Sequence, residues 1–315
     1  MREKSASHAA LPEWLEKVAQ RSALAEFAGA DLEVVRDCQF ANVAKIATPV
    51  NDIVVPLFRE SALGELTART GIAGVITTAD LADRIPEDLG LAVSPEPMVA
   101  LDRIHRQLAA ASGRLREGFE TRIGEGARVH DGAIVAPRDV VIGDGCEILP
   151  GAIIHSGTHI GRATRIHSNA VIGADAYEVV MLDGVQRLRP QTGGTAIGQN
   201  CEILSGTVVT RAAFCGATTI GHHVVVDCNG TVSHDCRIGD NVRVGGGSWL
   251  GGRVTIGDRA SIGPNVAVAN GIAIGARAKV SIGSVVTRDV EADAQVSGNF
   301  AIPHERFLAN LRQIR

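Results

Sequence analysis

One histidine of this 315-residue chain sits in a setting suited to moving a proton: His234, within Val232-Ser233-His234-Asp235-Cys236, with carboxylates at Asp235 and Asp227. An imidazole titrates near neutrality, and a neighbouring carboxylate fixes its tautomer and steadies the imidazolium, so the group suits a general base. The bland reading, a solvated histidine on an outer face, stands beside it. His222 and His223 read as solvated corner residues, and Gly245-Gly246-Gly247 as a crowded corner rather than a phosphate loop. The chain has no Gly-x-x-x-x-Gly-Lys, His-Glu-x-x-His or Gly-x-Ser-x-Gly. Its cysteines (Cys38, Cys146, Cys201, Cys215, Cys228, Cys236) lack zinc-ligand or redox spacing, so neither a metal site nor a disulfide framework is expected.

What must position His234 is a repeat. From Ile220 to Val286 an aliphatic residue returns every six positions, through Val226, Val232, Ile238, Val244 and Leu250 onward. Six fits neither helical periodicity nor strand alternation, and predicts short strands joined by turns, three sides to a rung. Gly often follows the anchor, as at Gly221, Gly239 and Gly257, where a corner needs positive φ or has no room for a side chain. The fourth residue after the anchor is small or β-branched (Val224, Val242, Ser248, Val254) and points inward beside the anchor. Cys146, Cys201 and Cys236 occupy the same slot, where a thiol packs as a compact hydrophobe.

The repeat begins at Ile123, skips one residue at Ala136-Pro137, and breaks between Ile172 and Ile197. The break, residues 174–196, contains Asp175, Arg189 and the only tyrosine, Tyr177, and reads as a loop leaving the prism. A tolerated surface insertion is the alternative. A second slip falls around Arg211–Cys215. Upstream, an amphipathic helix is expected over Leu11 to about Ala28, strands at Ile53–Leu57, Gly74–Ile76 and Leu91–Val93, and helices at Ser61–Thr70 and Met98 to about Leu115. This divides the chain into a small α/β domain (1–110), a linker (111–120), the coil (121–292) and a tail (293–315) with a helix near Pro303–Leu311.

Aromatic residues make up only 3%, which suits a narrow prism filled by Ile, Val and Ala. A net charge of −4 argues against a nucleic-acid or membrane footprint over the whole chain, and no apolar run approaches the roughly 20 residues of a membrane span. The opening Met-Arg-Glu-Lys-Ser has no apolar segment, so a cytoplasmic protein is expected.

The α/β domain, interrupted coil and helical tail resemble UDP-3-O-acylglucosamine N-acyltransferase of lipid A synthesis over nearly the whole chain. The resemblance implies a mainly β fold: a left-handed parallel β-helix of hexapeptide repeats, with a small N-terminal α/β domain that binds a nucleotide sugar. It implies transfer of an acyl group from acyl carrier protein to the amine of a nucleotide-linked amino sugar, with no permanently bound cofactor. It matches His234 to the family's general base, Asp227 to the aspartate before it in the same rung, and Gly252 to the glycine whose N–H meets the thioester oxygen. Asp235 is the other candidate for orienting the base; Tyr177, Asp175, Asn229 and Phe58 are candidate substrate contacts. A homotrimer with sites between neighbours is implied, and aliphatic coil faces that a monomer covers poorly point the same way. There are departures: Gly271 stands where the family has a second histidine, and Val55, Phe58 and Ser61 do not reproduce its Phe-x-x-Asn-x-x-Tyr uridine pocket. His234-Asp235 and the Val280–Asp289 ending equally resemble acetyl-coenzyme A-dependent N-acetyltransferases of nucleotide amino sugars. A non-catalytic scaffold is the third reading, against which His234 and Gly252 together argue.

Overall fold

The structure, a computed structural model, describes residues 12–16, 20–48, 50–111, 118–298 and 303–314. From Arg122 to Val296 the chain forms a left-handed parallel β-helix whose strands stack into three sheets of eight, eight and nine. Register between rungs is in step, as in Thr231 opposite Trp249 and Val232 opposite Leu250. The anchor of each strand points inward and its predecessor outward, so anchors and small residues share one continuous core. The glycine after the anchor is there for space rather than for φ. A Cβ on Gly257 would lie 2.5 Å from the backbone nitrogen of Ala276 in the next rung. The left-handed corner position is held two residues later by Asn241, Arg259 and Arg277. Cys146, Cys201 and Cys236 are buried, each thiol directed at a backbone carbonyl, and burial pushes Cys236 up to about 12.

The three faces differ on the outside. One, carrying the strands at 134–135, 153–154, 171–174, 208–210, 231–232, 249–250, 267–268 and 285–286, turns out Ile134, Ile153, Val171, Val208, Trp249 and Val285, interrupted by Thr231 and Ala267. Another turns out the alternating ladder Arg128, Glu147, Arg165 and Glu202, in which Glu147 is paired with both arginines.

The front domain is a five-stranded mixed sheet in the order 33–36, 90–93, 72–77, 53–57, 42–43, parallel except for the first pair. Four α-helices are described: α1 (Glu13–Glu16), α2 (Leu63–Ala68), α3 (Pro97–Ala110) and α4 (His304–Ile314). Leu101, Ile104 and Leu108 of α3 lie buried among the sheet residues. The helix expected over Leu11–Ala28 is not continuous. Among the described residues it is the short α1, a two-residue strand at Ser22–Ala23 and a 3-10 turn at Leu24–Phe27, with residues 11 and 17–19 outside the description. Ser22–Ala23 instead pairs antiparallel with Gln39–Phe40, a tertiary contact that overrides helical spacing. The strands at 33–36, 39–40 and 42–43 carry no strong alternation in the sequence.

All three irregularities of the coil, at 136–137, 174–196 and 211–216, fall at one corner, after the apolar face. The break forms an antiparallel hairpin, Val179–Leu182 with Val185–Leu188. The slip at 211–216 carries Ala213, Phe214 and Cys215 into the core of the front domain, where Phe214 meets the ring of His105 at 4.7 Å.

Candidate active site

His234 lies at this same corner, two residues past Val232, one rung below Gly252 and two below Asn270. Its imidazole is 6% exposed at the floor of a cleft of about 820 Å³. The front domain contributes Lys45, Met98 and Arg103 to the walls, the hairpin contributes Tyr177 to Met181, and the coil contributes His234, Arg253 and Asn270.

His234 Nδ1 is 2.7 Å from Oδ2 of Asp235. That bond leaves Nε2 as the nitrogen facing the cleft, where Oε1 of Glu178 stands 3.7 Å away. Asp235 adopts φ +60°, a conformation aspartate tolerates better than most residues, and its N–H is tied to Thr218 Oγ1 at 2.9 Å. A side chain on Gly252 would collide with the imidazole, so glycine here is what lets the ring lie in place.

The other predicted residues separate. Asp227, which the resemblance favoured as the orienting carboxylate, lies at the preceding corner and does not touch His234. Its oxygens accept the backbone N–H groups of Cys228 at 2.7 Å and Gly246 at 3.1 Å, the task of a turn-stabilising aspartate. Asn229, at φ +55°, shapes that same distant corner. Gly252 N–H is not open: it donates to Asn270 Oδ1 at 2.9 Å. Gly271 sits one residue past the His234 column; the residue in that column is Asn270. Tyr177 stands at the cleft rim, 88% exposed. Asp175 is at the hairpin base, 3.4 Å from Arg211 Nε, and Phe58 lies beyond the end of strand 53–57 with the Arg59 guanidinium 5.4 Å over its ring; neither lines the cleft.

Glu178 carries no signal of its own in the sequence. Oε1 of Glu178 pairs with Lys45 Nζ at 3.0 Å and Arg253 at 3.6 Å; Oε2 receives Arg189 at 2.6 Å. Burial alone would raise its pKa, but Lys45 and Arg189 outweigh that and hold the carboxyl at about 2. Arg189 is itself pinned by fully buried Asp102 of α3 at 2.9 Å and lies 4.6 Å over the Phe214 ring. Beside it His105 donates to or accepts from Thr192 at 2.7 Å, and burial, aided by Arg189, pushes its pKa down to about 4. The one sequence signal for the hairpin's role was that it interrupts the repeat two rungs before the histidine.

The coil has three sides and rungs in step, and residues 139–174 match the model of the bacterial transferase hexapeptide (six repeats). The chain is similar to UDP-3-O-acylglucosamine N-acyltransferases. It is 30% identical over 165 residues to that of Janthinobacterium sp. (strain Marseille), covering 52% of this chain and 47% of the relative, and 37% identical over 97 residues to that of Xanthomonas oryzae pv. oryzae (strain KACC10331 / KXO85), covering 31% and 28%. It is also 29% identical over 125 residues, 38% of this chain and 43% of the relative, to the acyl-[acyl-carrier-protein]–UDP-N-acetylglucosamine O-acyltransferase of Bartonella henselae (strain ATCC 49882 / DSM 28221 / CCUG 30454 / Houston 1). The chain thus spans about half the length, or less, of these curated relatives. No helix among the described residues is long and apolar enough to cross a membrane.

Proposed function

We propose that the chain is an N-acyltransferase that moves an acyl group from a thioester carrier to the amine of a nucleotide-linked amino sugar, in lipid A or surface-polysaccharide synthesis. The observation that carries this reading is the imidazole on the cleft floor, its Nδ1 on Asp235 and its Nε2 turned to the cavity. An amine that attacks a thioester must shed a proton to become an amide, and a base so placed contributes typically ~10²–10⁴-fold. Asp235 takes the orienting role that resemblance favoured for Asp227. Gly252 N–H is the proposed donor for the oxyanion, which would have to displace Asn270 Oδ1 from it.

Acyl carrier protein is the proposed donor. The hairpin and α3 give the cleft a run of apolar side chains, Met98, Val99, Val179, Val180 and Met181, more than an acetyl group needs. This favours long-chain over acetyl-coenzyme A chemistry. The assembly we propose is a homotrimer, supported by the outward aliphatic ladder beside the His234 corner, in which Ile134, Trp249 and Val285 are exposed. The protein is proposed to act in the cytoplasm, where such carriers and nucleotide sugars occur.

The test is incubation with a panel of acyl carriers and amino-sugar nucleotides, read by mass spectrometry. Amide formation from a 3-hydroxyacyl carrier protein is expected, and His234→Ala should lower kcat/KM by ~10²-fold or more. Acetyl-coenzyme A turning over faster than the long-chain carrier would replace this reading with the acetyltransferase one; full activity in His234→Ala would remove the base.

A further inference from the structure

We propose that Glu178 is the residue that receives the acceptor's amine, holding it as an ammonium ion between its own Oε1 and His234 Nε2. This rests on the N-acyltransferase reading and adds to it a residue that chooses amines over hydroxyls. Two acceptors 3.7 Å apart can both take hydrogen bonds from one nitrogen placed between them.

The two carboxylate oxygens of Glu178 have different work. Oε2 is consumed by Arg189, which Asp102 and the Phe214 ring hold rigid, and the Glu178 carbonyl accepts the Arg189 backbone N–H at 2.8 Å. Oε1 is thereby aimed at the cleft and the base. Its competence to bind an ammonium is visible, since the primary ammonium of Lys45 sits on that same oxygen at 3.0 Å. Lys45 is a costly partner, because burial lowers its pKa. An incoming ammonium competes for the oxygen with a lysine and with Arg253, which is only at 3.6 Å. Cations held nearby keep Glu178 ionised throughout the neutral range, so the anionic oxygen is present whenever the amine arrives. A hydroxyl acceptor brings no positive charge and gains far less from such an oxygen.

The step balances as follows. The ammonium gives one proton to His234 Nε2, and the imidazolium is flanked by Asp235 and Glu178. The freed amine attacks the thioester carbonyl, the new C–N bond forms, and its nitrogen gives up a second proton as the C–S bond breaks. One proton leaves with the thiol and the other passes to solvent through His234. Glu178 is neither nucleophile nor base; it binds and places the amine.

The experiment compares binding of UDP-glucosamine and UDP-glucose, which carries a hydroxyl in place of the amine, to the full chain by calorimetry at pH 7. The nucleotide is common to both probes, so the ratio reports the amine. Wild type should favour the amine by ~10-fold or more, as a charge-assisted hydrogen bond would give. Glu178→Gln should bring the ratio near one, and Glu178→Asp should restore part of it. Lys45→Met separates this from a purely structural strut. A strut would make it behave like Glu178→Gln, with both probes weakened alike, whereas the ammonium site predicts that removing the competing lysine keeps or enlarges the amine preference. An unchanged ratio in Glu178→Gln, no preference in wild type, or no binding of either probe overturns the inference. Amine preference without any acyl transfer would count against the proposed function and leave this site standing.

Discussion

A methyl group at position 252 has nowhere to go. Gly252 lies outside the left-handed region, so its backbone accepts alanine, but the new Cβ would stand 2.5 Å from His234 Cε1 and 3.0 Å from Cδ2. Carbon atoms in contact rest at ~3.5–4.0 Å, which obliges the ring to retreat by about 1 Å. A retreat of that size stretches the 2.7 Å bond from Nδ1 to Asp235 beyond good hydrogen-bonding range. Misplacing a catalytic group by about 1 Å costs ~10²-fold, and the overpacking itself costs ~1–3 kcal/mol of stability. Gly252→Ala is therefore expected to lose ~10²-fold in kcat/KM with whichever amino-sugar nucleotide and acyl carrier the wild type turns over in the panel, with only a modest fall in melting temperature. The backbone N–H survives the substitution, so the loss cannot be charged to a missing donor. Activity above half of wild type, or loss of activity with the imidazole unmoved in the variant's crystal structure, would refute the argument.

Three further expectations follow from the geometry. Asp235→Asn should lower kcat with little change in stability, while Asp227→Asn should do the reverse, costing ~1–3 kcal/mol in denaturant titrations because Asp227 satisfies two backbone N–H groups; equal effects on rate would return Asp227 to the site. His105 is held at about 4 against an ordinary 6.5, so it is neutral in fold and unfolded chain above pH 6.5 and binds its proton only in the unfolded chain between 6.5 and 4. Its contribution is thus present above about 6.5 and lost as pH falls toward 4, about 3 kcal/mol in all, and His105→Gln should flatten that limb of the melting curve; an unaltered limb would contradict it. Light scattering at micromolar concentration should give three times the chain mass, and Trp249→Glu, on the outward apolar ladder, should shift it toward monomer; a monomeric wild type would refute the trimer.

The coil was legible because its periodicity is enforced rung by rung. An anchor such as Val232 that slipped by one residue would turn a polar group into a core with no water, and twelve anchors in step leave no other reading. His234 and Asp235 were legible for a related reason: adjacency in sequence near a corner already brings them together. Asp227 stands apart from His234 because resemblance transfers position along a rung, whereas the corner it occupies is set by the side of the prism. Glu178 was invisible. Nothing around Tyr177-Glu178-Val179 distinguishes it from any exposed carboxylate, and its role depends on Lys45, more than a hundred residues away in sequence, and on Arg189 across a hairpin. The helix expected at Leu11–Ala28 failed because apolar spacing cannot weigh a helix against pairing of Ser22–Ala23 with a distant strand.

Phe214 bears on how such proteins are rearranged. A coil rung that lends Ala213, Phe214 and Cys215 to another domain's core makes the two parts thermodynamically one object over that stretch. Deleting the front domain would leave a phenylalanine and its neighbours facing water from the middle of the prism, and would strip Arg189 of Asp102, turning a buried cation loose beside the cleft. Exchange of front domains between coils is then not a cut at residues 111–120. A chimera that folds must carry residues 174–196 and 211–216 with the incoming domain, so that what can be exchanged follows the shared core rather than the order of the chain.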